Sequence, residues 1–169
     1  MIKAVLHIAT SVDGFIANKE GSSEFALAAQ KADKNFKKFY DSVGSVVMGR
    51  KTYDYLKVKT PELFKEKEVY VITHYLRQKE DNITFVHENI KGCLQNLKET
   101  KEKDIWILGG AEIINILIKE NMIDEMVLTT VPVILGTGTR LFKDDNPQKL
   151  LTVKECLNFD GFVQTHYTA

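Results

Sequence analysis

The stretch VVMGRKTYDYL, residues 46 to 56, decides the fold because it joins a buried strand directly to a short helix. The N-terminus of a helix carries unpaired N–H groups and a partial positive charge. Gly49 lets a ligand approach the backbone, Arg50 and Lys51 add cations, and Thr52 adds a hydroxyl donor. The residues alone leave two interpretations open: a phosphate seat, or a glycine-started helix with two solvated cations.

A second strand-to-helix seam, IWILGGAEIINIL at residues 105 to 117, repeats this arrangement with a pair of glycines. The two glycines would let a pyrophosphate approach the backbone where a side chain would obstruct it. In open α/β sheets, ligands bind outside the carboxyl ends of the strands, so both seams can face one crevice. Neither seam is a complete phosphate-binding motif, but together they indicate a long ligand with several phosphates, such as a dinucleotide.

The end of a third strand indicates which dinucleotide would bind. In the segment VYVITHYLRQK, residues 69 to 79, the end of the predicted strand carries Thr73, His74 and Arg77. No acidic residue is present there to hold a ribose 2′-hydroxyl. A hydroxyl, an imidazole and a guanidinium suit a 2′-phosphate instead, which favours NADPH over NADH. The alternative is a solvated strand end.

The remaining pattern alternates strands and helices, which predicts parallel pairing through right-handed crossovers. We expect an α/β three-layer sandwich with a mostly parallel mixed sheet and an antiparallel C-terminal edge, formed by a single domain over residues 1–169. Residues 11–23 are predicted to form a long loop. Strands are predicted at 2–10, 45–49, 68–73, 83–86, 104–108, 125–135 and twice in 149–168 around Asp160-Gly161, and helices at 24–41, 50–57, 90–100 and 111–119.

Composition excludes several classes of partner. The chain has 169 residues and a formal net charge of zero, so it has no overall bias toward nucleic acid or a membrane surface. Its two cysteines form no zinc motif and no metal site is expected; with no apparent signal peptide, they favour free thiols in the cytoplasm. No apolar run approaches the ~20 residues that cross a bilayer.

The chain resembles the dihydrofolate reductase superfamily, and more closely the stand-alone bacterial members related to the reductase domain of bifunctional riboflavin-biosynthesis enzymes. The resemblance spans nearly the whole chain. It rests on four segments in a fixed order: SVDGFIA, VVMGRKTYDYL, IWILGGAEI and MIDEMVLTTVPVILGTGTRLF.

The resemblance implies a dihydrofolate-reductase-like fold, NADPH-dependent reduction and a homodimer formed through the later strands. It also implies a cis peptide bond between the paired glycines. By position, the cofactor would contact Gly49, Arg50, Lys51 and Thr52 at the phosphates, Thr73 and His74 at the 2′-phosphate, Gly109, Gly110, Ala111, Glu112 and Ile113 along the pyrophosphate, and Ala9, Ile16 and Ala17 near the nicotinamide.

Two departures from the family pattern concern the substrate. Riboflavin-pathway reductases often have Glu before the glycine pair and a cation within the SxDGxIA motif, where this chain has Leu108 and Phe15. These differences count against a phosphoribosyl-aminopyrimidine. Dihydrofolate reductases usually carry Pro-Trp before the substrate helix, where this chain has GSSEFA, which counts against folate.

Two carboxylates are candidate catalytic residues. Asp33 lies on the predicted 24–41 helix, sixteen residues before Gly49, near the position of the substrate-binding carboxylate of dihydrofolate reductases. It could hold an aminopyrimidine edge or a proton-donating water, or it could be a solvated boundary residue. Asp13 lies in the segment that resembles the substrate lid, and its alternative role is to stabilise an Asp-Gly turn.

Other notable residues are interpreted as structural. His7 lies within a predicted buried strand and Trp106 within another, and both are expected to belong to the core. The glycines of GTGTRLF, residues 136 to 142, predict a β-bulge or a turn.

The leading hypothesis is an NADPH-dependent reductase acting on a small planar heterocycle of pteridine or aminopyrimidine type. A narrower alternative is 5-amino-6-(5-phosphoribosylamino)uracil reductase of riboflavin biosynthesis. A third is a regulatory protein that binds NADPH without turnover, because the cofactor seams are clearer in the sequence than the catalytic carboxylates.

Overall fold

The computed structural model describes residues 1–87 and 89–168. The strands are β1 (Ala4–Ser11), β2 (Phe15–Ala17), β3 (Val43–Gly49), β4 (Glu68–Thr73), β5 (Ile83–His87), β6 (Asp104–Gly109), β7 (Glu125–Val131), β8 (Thr139–Arg140), β9 (Thr152–Phe159) and β10 (Phe162–Thr168). The helices are α1 (Glu24–Ala32), α2 (Phe36–Ser42), α3 (Arg50–Lys59), α4 (Ile90–Thr100) and α5 (Ala111–Lys119), with a short 3₁₀ turn at Pro61–Phe64.

Eight strands form one mixed sheet in the order β5-β4-β3-β6-β1-β7-β10-β9. The pairs from β5 to β7 are parallel, and β10 pairs antiparallel with both β7 and β9. The predicted fold class, a mostly parallel sheet with an antiparallel C-terminal edge, is therefore confirmed. Asp160 and Gly161 join β9 to β10 with φ angles of 48° and 83°, the left-handed conformation expected of a tight hairpin turn.

Alternation along the central strands distributes apolar side chains to both faces of the sheet. In β3, Val47 packs with α4 and α5 on one face, whereas Val46 and Met48 pack with α1, α2 and α3 on the other. In β6, Ile107 and Trp106 divide in the same way. Both faces are covered by helices, which explains why these strands read as continuous apolar runs and why the fold has three layers.

The predicted helix over residues 24–41 is wrong in one respect, because the chain forms two helices interrupted at residues 33–35. Asp33 ends α1 in an extended conformation, with φ −72° and ψ 103°. Its carboxylate accepts a hydrogen bond from the backbone N–H of Asn35 at 2.8 Å, which competes with continuation of the helix. Ser23 precedes α1 as expected, but its side chain makes no capping hydrogen bond there.

The loop regions also differ from the prediction. Residues 11–23 contain β2, which pairs antiparallel with β8 from the glycine-rich segment at 136–142. Neither short strand has an alternating apolar pattern, so the sequence predicted a loop and a turn. The strand predicted at 125–135 ends at Val131, because Pro132 has no N–H to donate to the sheet.

None of the helices in the two described ranges is long and apolar enough to cross a membrane.

Leu117→Ala tests the core beneath α5. Leu117 is fully buried in that helix, so we expect the substitution to lower the free energy of unfolding by ~2–5 kcal/mol. The matched control is Leu76→Ala, since Leu76 is 86% exposed and its loss should change the free energy of unfolding by less than about 0.5 kcal/mol. Urea unfolding followed by circular dichroism measures both, and equal losses would contradict the proposed packing.

Candidate active site

A cleft of about 940 Å³ opens at the carboxyl ends of β1, β3, β4 and β6. The seams after β3 and β6 both contribute to its wall, which is where open α/β sheets bind ligands. From the first seam the wall includes Gly49, Arg50, Lys51 and Thr52, and from the second it includes Gly110, Ala111, Glu112 and Ile113.

The two seams meet through their glycines. A Cβ placed on Gly49 would lie 3.3 Å from Cγ1 of Ile113, and one placed on Gly110 would lie 3.2 Å from Oγ1 of Thr52. A side chain at either position would therefore press on the other seam. The bond between Gly109 and Gly110 is cis, as the sequence resemblance implied. Gly109 has φ 111°, a glycine conformation, and is outside the described wall of the cleft.

Both helix N-termini at the seams present backbone N–H groups to the cleft. Within the described chain, neither α3 nor α5 has a side-chain hydrogen bond at its N-cap, which is a glycine in both helices. The first turn of each helix therefore keeps donors and a partial positive charge available to an anion. Arg50 and Lys51 add positive charge; the Arg50 guanidinium also binds Asp54, with Nε 2.7 Å from Oδ1.

The end of β4 forms another part of the wall through Thr73 and His74. The hydroxyl of Thr73 accepts a hydrogen bond from the backbone N–H of Tyr75 at 3.2 Å, and the carbonyl oxygen of His74 lies 3.1 Å from Nε2 of His87. Arg77 is not part of the described wall. Its guanidinium lies 5.5 Å from the ring centre of Phe85, and that of Arg50 lies 6.0 Å from the same ring, so both cations gather at this end of the cleft.

The three residues expected near a nicotinamide also line the cleft. Ala9 comes from β1, while Ile16 and Ala17 come from β2. Their placement brings the small β2–β8 sheet against the middle of the cleft. Gly138 allows this contact, since a Cβ there would lie 2.1 Å from the carbonyl oxygen of Ala17.

Asp33 lies in the cleft at the junction of α1 and α2, where its side chain is only 3% exposed. Its Oδ2 accepts a hydrogen bond from the amide of Gln164 at 2.8 Å, and the same amide donates to the hydroxyl of Thr129 at 2.9 Å. Nε2 of His7 lies 3.6 Å from Oδ2. Burial raises the pKa of Asp33, but His7, Gln164 and the backbone N–H of Asn35 outweigh that effect and hold the pKa below its usual range.

Sequence reasoning missed the group around Asp33. His7 was expected to be a core residue, yet it lines the cleft, and its ring stacks on Phe39 with 4.4 Å between ring centres. Trp106 is buried as expected but also reaches the cleft wall. Strand alternation offered one signal, because His7 and Ala9 share a face of β1 and Ala9 had been assigned to the cofactor site. No local signal pointed to Gln164 or Thr129.

Asp13, the second candidate carboxylate, is outside the described wall of the cleft. It accepts hydrogen bonds from the hydroxyl of Ser11 at 2.7 Å and from the backbone N–H groups of Leu135 and Gly136 at 3.1 and 2.7 Å. These bonds, led by that of Ser11, lower the pKa of Asp13 to about 2. The geometry therefore fits the turn interpretation and extends it, because the carboxylate also ties the loop after β1 to the loop after β7.

The two positions that depart from the riboflavin-pathway pattern have different surroundings. Leu108 lines the cleft, so an apolar side chain stands where those enzymes often have Glu. Phe15 is buried and lies under Arg140, whose guanidinium is 5.0 Å from the ring centre. This second position therefore serves packing between β2 and β8.

The fold and the cleft define a dihydrofolate-reductase-like protein, an α/β sandwich with two glycine seams opening into one pocket. Residues 3–165 match the family of the RibD C-terminal domain, and the chain belongs to that family. It is 38% identical over 168 residues to the uncharacterized protein YwjB of Bacillus subtilis, covering 98% of this chain and 97% of YwjB.

Solved structures agree with this assignment. A candidate riboflavin biosynthesis protein from Shewanella sp. PV-4 superposes with a TM-score of 0.87 at 28% identity, covering 99% of this chain and 98% of that one. A dihydrofolate reductase from Enterococcus faecalis, solved with NADP(H) and RAB-propyl, superposes with a TM-score of 0.75 at 16% identity, covering 98% of this chain and 95% of that one. The second likeness establishes the fold alone.

Asp13→Asn tests the tie between the two loops. The pKa of Asp13 falls from its ordinary 3.8 to about 2, so its ionised form stabilises the folded state above pH 3.8 and that contribution is lost as the pH falls toward 2. Wild type should therefore be more stable than Asp13→Asn near neutral pH, and the difference should shrink over that acid range. Thermal unfolding of both proteins across the range measures it, and a constant difference would refute the role assigned to the carboxylate.

Proposed function

We propose that this protein is an NADPH-dependent reductase that transfers a hydride to a small planar heterocycle of pteridine or aminopyrimidine type. The observation that carries the proposal is the meeting of the seams after β3 and β6, which directs two uncapped helix N-termini into the cleft that contains Asp33. One end of this cleft is suited to phosphates and the other to a polar ring edge.

Relatives support the same class of reaction. Membership of the RibD C-terminal domain family favours an oxidoreductase of the riboflavin-pathway and dihydrofolate reductase type. The Enterococcus dihydrofolate reductase, which shares the fold, was solved with NADP(H), and this supports a nicotinamide cofactor.

The residues at the seams fit a pyrophosphate. Gly49 and Gly110 leave room that a Cβ would fill, while the N–H groups of α3 and α5 and the cations Arg50 and Lys51 supply donors and positive charge. Thr73 and His74, with Arg77 nearby, would hold the 2′-phosphate and favour NADPH over NADH. The bound cofactor would supply the hydride.

Asp33 would orient the substrate. Its carboxylate is fixed by Gln164 and Asn35, has a lowered pKa, and is placed to accept hydrogen bonds from ring N–H or amino groups. The apolar wall formed by Leu27, Leu63 and Trp106 would cover the faces of a planar ring and exclude water. Because Leu108 and Phe15 replace two polar positions of riboflavin-pathway reductases, we favour a small heterocycle over a phosphoribosyl-aminopyrimidine.

NADPH binding tests the proposal through the fluorescence of Trp106, the chain's one tryptophan, which lines the cleft. We expect NADPH to quench this emission at lower concentrations than NADH. Replacing His74 and Arg77 together by Ala should weaken NADPH binding by about tenfold or more, because charge-assisted hydrogen bonds to the 2′-phosphate are lost, and should leave NADH binding unchanged. Lys79→Ala, which removes a cation from the same exposed segment, is the matched control.

Binding of neither nucleotide at millimolar concentration would refute the proposal. Equal affinity of wild type for both would refute the 2′-phosphate assignment. NADPH binding without oxidation in the presence of pterins, flavin precursors and quinones would favour the regulatory alternative. Complementation of a strain lacking the riboflavin-pathway reduction would support the narrower enzyme instead.

A further inference from the structure

His7 is a titratable residue of the cleft to which the proposed function assigns no task. It lies on β1, its side chain is 9% exposed, and it contributes to the cleft wall. A polar ring in the middle of a buried strand needs a compensating partner, and in this protein the partner is the carboxylate of Asp33 at 3.6 Å.

Three aromatic side chains fix the orientation of the imidazole. The ring of Phe39 stacks on it with an interplanar angle of 24°. The rings of Phe36 and Trp106 meet it edge-on, with centres 5.7 and 6.5 Å away. The imidazole therefore packs against aromatic groups while its Nε2 points toward Asp33.

Asp33 is fixed as an acceptor by its other hydrogen bonds. Oδ1 accepts from the backbone N–H of Asn35, and Oδ2 accepts from Gln164, whose amide is also held by Thr129. These bonds and the lowered pKa keep the carboxylate ionised near neutral pH. Oδ2 of this carboxylate and Nε2 of His7, 3.6 Å apart, therefore form an ion pair whenever the imidazole carries its second proton.

The next histidine on this face of the sheet has a different acid partner. His7 and His166 are both in register with Val127, so one strand separates them. Nε2 of His166 lies 2.9 Å from Glu125, a carboxylate that also binds Lys3 and Lys154. The charged group that faces His7 is the carboxylate of Asp33, and its other neighbours include aromatic rings from α2 and β6. The pair formed by His166 and Glu125 lies on the far side of Val127.

We propose that His7 and Asp33 form a proton-holding pair on the cleft floor, from which His7 donates a proton to a ring nitrogen of the bound heterocycle. The donation rests on the proposed reductase function, whereas the pair itself does not. As the carbon of a ring C=N bond gains a hydride from the reduced nicotinamide, the π electrons move to the nitrogen, which takes the proton from Nε2 of His7. Water then returns a proton to the imidazole.

Trp106 reports on the pair without any ligand, because a protonated imidazole quenches a neighbouring indole more strongly than a neutral one. We expect the emission of wild type to show one transition as the pH is raised, and we expect His7→Gln to lose it. Asp33→Asn should move the midpoint to lower pH, because the negative charge that faces Nε2 is removed. His166→Gln, the matched control, should keep the transition.

The proposed His7–Asp33 pair would be contradicted if the fluorescence transition of Trp106 persisted in His7→Gln. It would also be contradicted if the transition disappeared in His166→Gln. An unchanged midpoint in Asp33→Asn would overturn the part assigned to the carboxylate. Circular dichroism of each variant checks that the fold is retained. NADPH binding is measured separately. If wild type showed the fluorescence transition but did not bind NADPH, the result would count against the proposed reductase function and not against the His7–Asp33 pair.

The donation is tested with 7,8-dihydropterin as the probe substrate. Above the fluorescence midpoint, NADPH oxidation by wild type should fall about tenfold per pH unit, since only the protonated pair can donate. His7→Gln should oxidise NADPH at least about tenfold more slowly and lose this pH dependence, with an unchanged affinity for NADPH. Equal rates in the two proteins, or no oxidation by wild type, would overturn the donation.

Discussion

The contact between the ends of β3 and β6 is the constraint on which the cleft depends. Gly49 ends β3, Gly110 directly follows the last residue of the neighbouring parallel strand β6, and each of these glycines is followed at once by a helix. A Cβ on either glycine would lie 3.2–3.3 Å from a side chain of the opposite seam, Ile113 or Thr52, so glycine lets the two helices start side by side without displacing those side chains. The first turns of both helices therefore border one space, and their N–H groups and dipoles suit that end of the cleft to an anion.

The opposite wall depends on contacts between distant parts of the chain. Asp33 and Gln164 are separated by 131 positions, yet the amide donates directly to the carboxylate. A buried carboxylate without such partners would cost several kcal/mol, so the burial of Asp33 depends on hydrogen bonds that include the one from Gln164 on β10. The antiparallel edge of the sheet consequently supports the cleft floor as well as closing the fold.

The difference between local and distant contacts explains what the sequence could predict. The seams at Gly49 and Gly110 were recognisable because a strand, a glycine and a helix start follow one another within a few residues. The pairing of Asp33 with Gln164 and the exposure of His7 to the cleft were not, because Gln164 lies 131 positions from Asp33 and the elements around His7 come from distant parts of the chain. The pairing of β2 with β8 joins segments with no alternating pattern. The single domain and the homodimer stay predictions.

The alternation of side chains along β1 places core residues on one face of the sheet and cleft residues on the other. Leu6 points into the apolar layer beneath α4 and α5, so substitution there would affect stability first. His7 and Ala9 point to the other face and line the cleft, where substitution changes the groups that meet a ligand while the core is left intact. The composition of the cleft floor can therefore change without loss of the fold, since on β1 the buried positions that pack in the core are not those that line the cleft. Residue 7 is one such position, and the imidazole beside Asp33 gives this cleft a proton source within the protein.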